Sequence, residues 1–352
     1  LTGNLEDLNL QYEFAYTGLQ TDRFCVTGTR TLSFYGCFRA SHPGAVTEAE
    51  YQDAIMTAYR TPLCSEIPMQ ALAPVTIKNV FDCPVSSASF SAEEIDAQFP
   101  TRKLEEQKGN VLLSFFTYDH AHVVTKEKEL LTERPHGTII ITPPDPCVVD
   151  NALISSTQYM YGIFNSHVVT GNTDLHKLLS TPRGSLNLLK NSGQRLYIRL
   201  GGTYHLLNLP GLFEMGMNYS RWYYKLKDDM LLITAYTAAD TADLILEVKS
   251  QKSIPYDFIL TSQLVMGNNE YSGDITCMPI SQGLRFTLDS AVYPGLHYDM
   301  LLPDCNFTAS DDRIFFEDDA SFDETFLTLS IDARSSFGVI IRGYLGADED
   351  ER

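Results

Sequence analysis

The feature that most constrains this chain is an alternation of apolar and polar residues with a period of two, which starts near residue 110 and runs almost to the C-terminus. The clearest unit is QRLYIRLGGTYHLLNL, in which aliphatic residues alternate with Tyr197 and Arg199. Gly201 and Gly202 follow, and glycines tolerate the positive φ angles of a two-residue hairpin turn. RWYYKLKDDMLLITAYT repeats the pattern around a polar Lys-Asp-Asp turn. These segments predict antiparallel hairpins.

About ten short strands of this kind, with few helical patterns among them, predict a mainly β fold built as a large antiparallel β-sandwich. Strands that alternate regularly with helices, as in a Rossmann fold or a TIM barrel, are missing from the pattern. The sequence therefore favours an all-β architecture over a parallel α/β one.

The first hundred residues have a different pattern, with short helices between proline-containing joints. In TEAEYQDAIMTAYR, Thr47 and Glu50 have the spacing of a capping box, and Ser91 and Glu94 repeat it in SAEEIDAQF. This part reads as a mixed α/β connector or the tail of a preceding domain. Three parts of the chain are therefore predicted: a connector over residues 1–105, a β-sandwich domain over 106–345 and the start of an acidic linker over 346–352.

The charge of the chain restricts its partners. The formal net charge is −19. Nucleic acids and anionic membrane surfaces attract basic proteins, so neither is an expected partner. No apolar run approaches the roughly 20 residues that a membrane-spanning helix needs. A neutral ligand such as a sugar is compatible with this charge.

The cysteines and the two ends of the chain bear on its location. Seven cysteines are scattered singly, without a CxxC pair, which favours free buried thiols in a reducing compartment over a disulfide framework. The chain starts at Leu1 without a signal-peptide pattern and ends on the acidic run GADEDER. We expect a piece of a longer polypeptide located in the cytoplasm.

Common catalytic motifs are missing, since the chain has no GxxxxGK[ST] loop, no HExxH and no GxSxG. His120 and His122 would share one face of a strand, a known metal-ligand geometry, but no matching cluster of further ligands is visible. A surface histidine pair is the favoured reading, and no metal site is predicted. The acid-rich stretch SDDRIFFEDDASFDE lacks the spacing of a calcium loop and indicates a solvated loop.

The stretch MGMNYSRWYYK holds the single tryptophan, Trp222, and allows two readings. As a sugar site, its aromatic rings would stack on sugar faces while Asn218 and Arg221 bond hydroxyls. As an ordinary strand, Trp222 and Tyr224 would lie in the core with Tyr223 pointing outward. The strand reading is favoured.

The stretch GNTDLHKLLSTPRG, residues 171–184, interrupts the strand pattern with polar residues between two glycines. A short helix capped by Asn172 or Thr173 would place Lys177 and Arg183 near its start, an arrangement that holds anions. The alternative is a helical crossover between sheets with both cations in water. The residues alone favour neither reading.

The surrounding stretch YGIFNSHVVTGNTDLHKLLSTPRGSLNLLKNSGQRLYIR resembles the N-terminal β-sandwich of family 94 glycoside phosphorylases. FEMGMNYSRWYYK, YDFILTSQLVMGNNE and YPGLHYDM extend the resemblance over roughly residues 105 to 345. The chain looks most like the β-1,2-oligoglucan phosphorylase branch, and somewhat like the phosphorylase region of cyclic β-1,2-glucan synthases. The resemblance implies a galactose-mutarotase-like supersandwich.

Members of this family are inverting enzymes in which inorganic phosphate, the co-substrate, attacks the anomeric carbon while one Asp protonates the glycosidic oxygen. The products are a shortened glucan and α-glucose-1-phosphate, and no cofactor is expected. The catalytic Asp belongs to an (α/α)6 barrel that would follow Arg352, so no residue of this chain is assigned a catalytic role. The chain alone is expected to be inactive.

The resemblance implies that this chain forms one wall of the substrate groove, with polar side chains that match the donors and acceptors of sugar hydroxyls. The candidate substrate contacts are Asn165, His167, Asn172, Asp174, His176, Lys177 and Arg183. The implied partners are a β-glucan oligosaccharide and the barrel of the same polypeptide, and a homodimer is a further option.

Two other classes stay open. A non-catalytic carbohydrate-binding sandwich would expose an aromatic platform and respond to sugar through Trp222. A purely structural module would pack against a catalytic partner and bind no sugar.

Overall fold

The computed structural model of the protein describes residues 25–30, 32, 51–61, 75–132, 135–142, 153–171, 176–179, 193–267, 275–289, 293–322 and 326–346. Contacts divide the chain into two units, Leu1–Pro74 and Val75–Arg352. In the first unit, helix α1 spans Gln52–Arg60 and none of its residues is buried. Thr47 and Glu50, the predicted capping pair for this helix, lie outside the described residues, and the helix begins without a side-chain cap at Tyr51.

The described part of the second unit is mainly β, with two short α-helices. In chain order, the elements are β1 (Phe81–Val85), α2 (Ala92–Gln98), β2 (Arg102–Lys108), β3 (Val111–Thr117), β4 (His122–Thr125), α3 (Lys126–Leu131), β5 (Gly137–Ile141), β6 (Ile154–Tyr159), β7 (Val168–Thr170), β8 (Lys177–Leu178), β9 (Gln194–Leu200), β10 (Thr203–Leu207), β11 (Leu212–Met215), β12 (Tyr219–Lys225), β13 (Met230–Thr237), β14 (Asp243–Ser250), β15 (Tyr256–Gln263), β16 (Ile275–Ile280), β17 (Gly283–Leu288), β18 (His297–Leu301), β19 (Thr308–Ser310), β20 (Phe326–Arg334) and β21 (Ser336–Tyr344).

These strands form three sheets. An eleven-stranded sheet has the order β16-β17-β18-β21-β14-β13-β12-β11-β4-β3-β2, and all its pairs are antiparallel. A six-stranded sheet has the order β1-β10-β9-β15-β20-β19, in which only the β1–β10 pair is parallel. A four-stranded antiparallel sheet has the order β5-β6-β7-β8. The prediction of a large, mainly antiparallel β-sandwich is confirmed.

The main hydrophobic core joins side chains from all three sheets. Trp222 and Ile233 come from the eleven-stranded sheet, Ile198 from the six-stranded sheet and Ile154 from the four-stranded sheet, and each is fully buried. Alternation with a period of two places these residues on one face of each strand, which is the inner face of the sandwich. The opposite, outer face of the eleven-stranded sheet is the surface on which a candidate site is found.

The two hairpins expected from the sequence are present. Strands β9 and β10 pair through Gly201 and Gly202, whose φ angles are 62° and 101°. Both glycines have open space around the position of a Cβ, so it is backbone conformation that requires them. Strands β12 and β13 pair from Tyr219–Tyr236 to Lys225–Met230 around the predicted polar turn.

Contacts place the start of the sandwich unit at Val75, so the boundary predicted near residue 105 falls inside this unit. Strand β1 pairs with β10 and β2 pairs with β3, while α2 covers part of the outer face of the large sheet. The capping box predicted for Ser91 and Glu94 is confirmed, since each side chain accepts a hydrogen bond from the other residue's backbone N–H.

Replacing Ser91 by alanine should lower the free energy of unfolding by about 1 kcal/mol, because the N–H of Glu94 loses its acceptor. Urea unfolding followed by circular dichroism measures the loss. The matched control is Ser86→Ala at an exposed position of the preceding loop, which should change stability by less than about 0.5 kcal/mol. Equal effects of the two substitutions would show that the cap does not stabilise α2.

The cysteines differ in part from the expectation of free buried thiols. Cys25, Cys83 and Cys277 are free and exposed, and Cys305 is free and half-buried. The predicted burial is therefore wrong for these four, because each lies on a loop or a strand near the surface rather than in the core. No helix within the described ranges combines the length and the apolar character needed to cross a bilayer.

Candidate functional site

The segment that carried the predicted substrate contacts contains the short strands β7 and β8, and of the described candidate contacts only Lys177 lies in a strand. Lys177 and Leu178 form β8 and pair with β7 through Val169 and Val168, so the helix predicted over these two residues is wrong. Antiparallel ladder bonds to β7 satisfy the backbone there. Leu178 and Leu179 are both fully buried. Asn172, Thr173, Asp174 and Arg183 lie outside the described residues.

Asn165 is fully buried at the centre of a hydrogen-bonded amide network. Its backbone N–H donates to Gln158 Oε1 at 2.9 Å, and its Oδ1 accepts from Gln158 Nε2 at 2.9 Å. Its Nδ2 donates to Gln194 Oε1 at 2.8 Å. Gln158 lies on β6 and Gln194 on β9, so Asn165 links the four-stranded sheet to the six-stranded sheet. Its side chain is committed to protein partners rather than to solvent.

Asn165 also has a backbone conformation that few residues adopt, with φ at 45°. Asparagine tolerates this left-handed region better than other non-glycine residues. The neighbouring Gly193 has φ at 67°, and a Cβ there would lie 2.8 Å from the carbonyl oxygen of Phe164. The two segments therefore approach too closely for any side chain at residue 193.

His176 directly precedes β8, the edge strand of the four-stranded sheet, and is buried, with 8% of its surface exposed. Its Nδ1 donates to the carbonyl oxygen of Thr170 at 3.0 Å, and its ring meets Tyr293 edge-on at 3.9 Å. The hydroxyl of the fully buried Tyr298 accepts from the N–H of Thr170 at 3.2 Å and donates to the carbonyl oxygen of His176. This arrangement ties the ends of β7 and β8 to β18.

Lys177 is 1% exposed, so the reading that placed it in water is wrong. Its carbonyl oxygen accepts from the N–H of Gly267 at 3.2 Å, which anchors β8 on its other side. His167 is half-buried and is the most accessible of the described candidates. The structure thus brings Asn165, His176 and Lys177 into the sandwich interior, while the contact of the predicted set with substrate stays a prediction.

Burial lowers the pKa of His176, and the pKa of His122 is lowered in the same way. A histidine of depressed pKa binds fewer protons in the folded than in the unfolded state below about pH 6.5, so stability must fall as pH decreases from 7 towards 5. His176→Gln should make this decrease shallower, since glutamine can still donate to the carbonyl of Thr170 and does not titrate. Urea midpoints measured across this range test it, and parallel curves for the two proteins would contradict it.

The aromatic stretch around Trp222 follows the strand reading. Trp222 and Tyr224 are fully buried, as predicted. Tyr223 points outward, as predicted, yet it is only 3% exposed. It does lie on the outer face, but α2 covers that part of the sheet and Phe99 packs on its ring at 5.9 Å. Trp222 therefore offers no platform to a sugar.

Further along this outer face lies an open cleft of about 720 Å³. It runs across β12, β13 and β14, and α2 contributes Gln98 to one wall. The lining residues are Gln98, Asn218, Tyr219, Arg221, Tyr223, Met230, Leu232, Thr234, Tyr236, Glu247, Lys249 and Gln251. Asn218 and Arg221, which the sequence marked as possible sugar contacts, are thus brought together in the cleft without Trp222.

Glu214 supports the floor of this cleft. It is 4% exposed and accepts from the hydroxyl of Tyr219 at 2.8 Å and from that of Tyr223 at 2.6 Å. The guanidinium of Arg221 lies 3.6 Å from Glu214 and 4.6 Å from the ring centroid of Tyr219. Burial and the bond to Glu214 raise the pKa of Tyr219 to about 12, so the phenol remains a neutral donor at physiological pH.

A second tyrosine–carboxylate pair lies on the other side of the cleft. The hydroxyl of Tyr236 donates to Glu247 at 2.9 Å. Burial and this bond raise the pKa of Tyr236 to about 12. The sequence pattern did not single out Glu214, Tyr236 or Glu247. The available signal was that these residues occupy outward positions on neighbouring hairpin strands. The strand register that aligns them across four strands cannot be inferred from one sequence.

The remaining candidates are separated by the structure. His120 lies in the β3–β4 turn with φ at 65°, while His122 begins β4 and stacks on Phe116 at 4.7 Å. The prediction that both face one way on a strand is therefore wrong. Asp312, in the acid-rich stretch, is 6% exposed and accepts from Ser321 and from the N–H of Phe322. In the described ranges, no group of three or more His, Cys, Asp or Glu residues could hold a metal ion.

Comparison with known proteins places this geometry in context. Residues 99–343 match the model of the glycoside phosphorylase supersandwich domain. A stretch of 261 residues, 74% of the chain, is 38% identical to a 1,2-beta-oligoglucan phosphorylase of Listeria innocua. The chain spans 23% of the length of that relative.

Proposed function

This chain belongs to the glycoside phosphorylase supersandwich domain family, and on that premise we propose that it is the supersandwich portion of an inverting phosphorylase of β-1,2-linked glucan oligosaccharides. The observation that carries the proposal is the 38% identity to a protein named 1,2-beta-oligoglucan phosphorylase, which extends over most of this chain. The chain spans only 23% of that relative, so the remainder of such an enzyme would lie outside this sequence.

In the proposed reaction, an oxygen of inorganic phosphate attacks the anomeric carbon of a terminal glucose unit. The bond to the glycosidic oxygen breaks, its electron pair stays on that oxygen, and a carboxylic acid supplies the proton. The products are a glucan shortened by one unit and α-glucose-1-phosphate. Phosphate takes the place of an activated water, so a second carboxylate is not needed as a base. The acid is assigned to a barrel of the parent polypeptide, and no cofactor takes part.

Within this proposal, the predicted contact segment acts in two ways. Asn165, His176 and Lys177 are buried, and they support the strands that carry the segment rather than meet sugar directly. The half-buried His167 is the described candidate with a surface that a ligand can reach. Asn172, Asp174 and Arg183 keep their proposed role as substrate contacts, because amide, carboxylate and guanidinium groups suit sugar hydroxyls.

The location proposed from the sequence is the cytoplasm. Exposed free thiols at Cys25, Cys83 and Cys277 support it, since such thiols persist in reducing compartments. A homodimer, the further option named from the sequence, is not tested by the structure.

The experiment is phosphorolysis by the parent polypeptide of glucan tetrasaccharides with β-1,2, β-1,3 or β-1,4 linkages, with glucose-1-phosphate detected by a coupled enzyme. We expect release from the β-1,2 substrate only, and only when phosphate is present. Phosphate-independent release of glucose would reject the phosphorylase, and preference for another linkage would reject the assigned substrate.

His167→Ala, Asn172→Ala and Arg183→Ala test the contact segment in the same protein. A direct contact to a bound sugar predicts a several-fold rise in KM, since each lost hydrogen bond costs about 0.5–1.5 kcal/mol of binding. Thr276→Ala, at an exposed position of the edge strand β16, is the control. Unchanged kinetics for all three variants would remove the segment from the groove and leave the phosphorylase assignment intact.

A further inference from the structure

The cleft on the outer face of the eleven-stranded sheet has a floor organised by strand register. Glu214 pairs with Arg221, Arg221 with Thr234, and Thr234 with Glu247. Glu247 then pairs with Gly338, where a Cβ would have no neighbour nearer than 4.0 Å. Because neighbouring strands are about 4.8 Å apart, this row of side chains runs for about 14 Å over β11 to β14 and ends at an open position.

The chemistry of the row is mixed rather than apolar. Arg221 and Lys249 carry positive charge, whereas Glu247 and the underlying Glu214 carry negative charge, so the charges at the cleft cancel. Amides of Gln98 and Asn218 can both donate and accept hydrogen bonds. A sugar hydroxyl likewise donates and accepts, which makes a neutral oligosaccharide a better match than an anionic polymer or an apolar peptide.

The tyrosines are held in place for such a ligand. Glu214 fixes the hydroxyl of Tyr219 from below, and Arg221 lies over its ring. Tyr236 is half-buried with its hydroxyl on Glu247. Because these contacts already order the tyrosine side chains, less conformational entropy is lost when a ligand binds. Apolar surface from Met230 and Leu232 lies beside them and suits the C–H faces of sugar rings.

We propose that this cleft is a binding site for a neutral gluco-oligosaccharide, which lies along the row from Arg221 past Thr234 towards Gly338. The inference rests on the proposed function for the choice of glucan, and it gives the supersandwich a ligand-holding role of its own. Arg221, Asn218 and Gln98 form hydrogen bonds with sugar hydroxyls. Thr234 lies beneath the oligosaccharide, and a sugar ring packs against Tyr236.

The test is isothermal titration of the 352-residue chain with a β-1,2-linked glucan tetrasaccharide. We expect saturable binding of one oligosaccharide per chain. Thr234→Arg fills the middle of the row and should weaken binding about tenfold or more, because the ligand loses its contact with the floor. Thr276→Arg adds the same charge at an exposed position of β16 in the same sheet and should leave affinity unchanged.

Tyr236→Phe provides a second variant that keeps the ring and removes one hydroxyl, in case Thr234→Arg does not fold by circular dichroism. It frees Glu247 from its donor and should change affinity several-fold. Equal affinity of the wild type, Tyr236→Phe and any folded Thr234→Arg protein would overturn the inference, as would a wild type that binds no tetrasaccharide.

Failure of the proposed binding cleft can be distinguished from failure of the proposed phosphorylase function. A chain that binds no glucan, while the parent polypeptide releases glucose-1-phosphate, rejects the cleft and keeps the phosphorylase. A chain whose binding is lost in Thr234→Arg, while the parent polypeptide shows no phosphorolysis, keeps the cleft and rejects the phosphorylase.

Discussion

Replacing Trp222 by alanine should lower the free energy of unfolding of the 352-residue chain by about 3–5 kcal/mol. The indole is fully buried between Phe164 and Phe213, whose ring centroids lie 4.8 Å and 5.1 Å away. Its Nε1 donates to the carbonyl oxygen of Tyr159 at 3.0 Å. The substitution therefore leaves a cavity where β12 meets the four-stranded sheet and removes the donor to a partly buried carbonyl.

Urea unfolding measures this loss. Circular dichroism is the probe rather than tryptophan fluorescence, because the variant lacks the only tryptophan of the chain. Trp222→Phe should cost less, since it keeps a ring in the core and loses only the hydrogen bond and part of the volume. Met217→Ala, at a position that is 90% exposed, is the control and should lie within about 0.5 kcal/mol of the wild type. A cost below about 1 kcal/mol for Trp222→Ala would contradict the buried position of the indole.

Replacing Asn165 by leucine should cost about 2–5 kcal/mol, because Gln158 and Gln194 would both lose a buried partner. Leucine also tolerates the φ angle of 45° less well than asparagine. Loss of this junction should loosen the four-stranded sheet relative to the six-stranded sheet, since the amide network joins β6 to β9.

Two comparisons isolate the network from the loss of side-chain volume. Asn165→Asp keeps the shape but presents a second acceptor to Gln194 Oε1, so we expect it to be destabilised too, and more strongly at pH 8 than at pH 4.5. Asn306→Ala, at an exposed loop position, is the matched control. Hydrogen exchange should show early opening of β6 and β9 in Asn165→Leu, and protection equal to that of the wild type would show that the network is dispensable.

Local pattern was enough to predict the hairpins and the sandwich. Alternation fixes which face a residue occupies, so the burial of Trp222 and Tyr224 followed from their positions. The pair of glycines at 201 and 202 fixed a turn through backbone conformation, and Ser91 with Glu94 fixed a helix start. Each of these depends on residues a few positions apart.

The errors share a different physical origin, which is packing between distant segments. Alternation placed Tyr223 on the outer face but gave no sign of what covers it there, and α2 covers this part of the outer face. Lys177 and Leu178 resemble a helix turn locally, yet pairing with β7 makes them a strand. The burial of Asn165 depends on Gln194, which lies far along the chain.

The cleft shows the same limit for a candidate site. Asn218 and Arg221 could be selected as sugar contacts because they flank an aromatic stretch. Thr234 and Glu247 could not, since their alignment with Arg221 depends on the registers of two strand pairs. A polar residue on an outward strand position carries no signal until its neighbours across the sheet are known.

The most direct measurement of the central claim is phosphorus NMR of the parent polypeptide incubated with β-1,2-linked glucan oligosaccharides and inorganic phosphate. Membership of the glycoside phosphorylase supersandwich family leads us to expect that the phosphate signal decreases while an equal amount of α-glucose-1-phosphate forms and the glucan shortens. Shortening of the glucan with the phosphate signal unchanged would contradict the account, because the bond would then be cut by water.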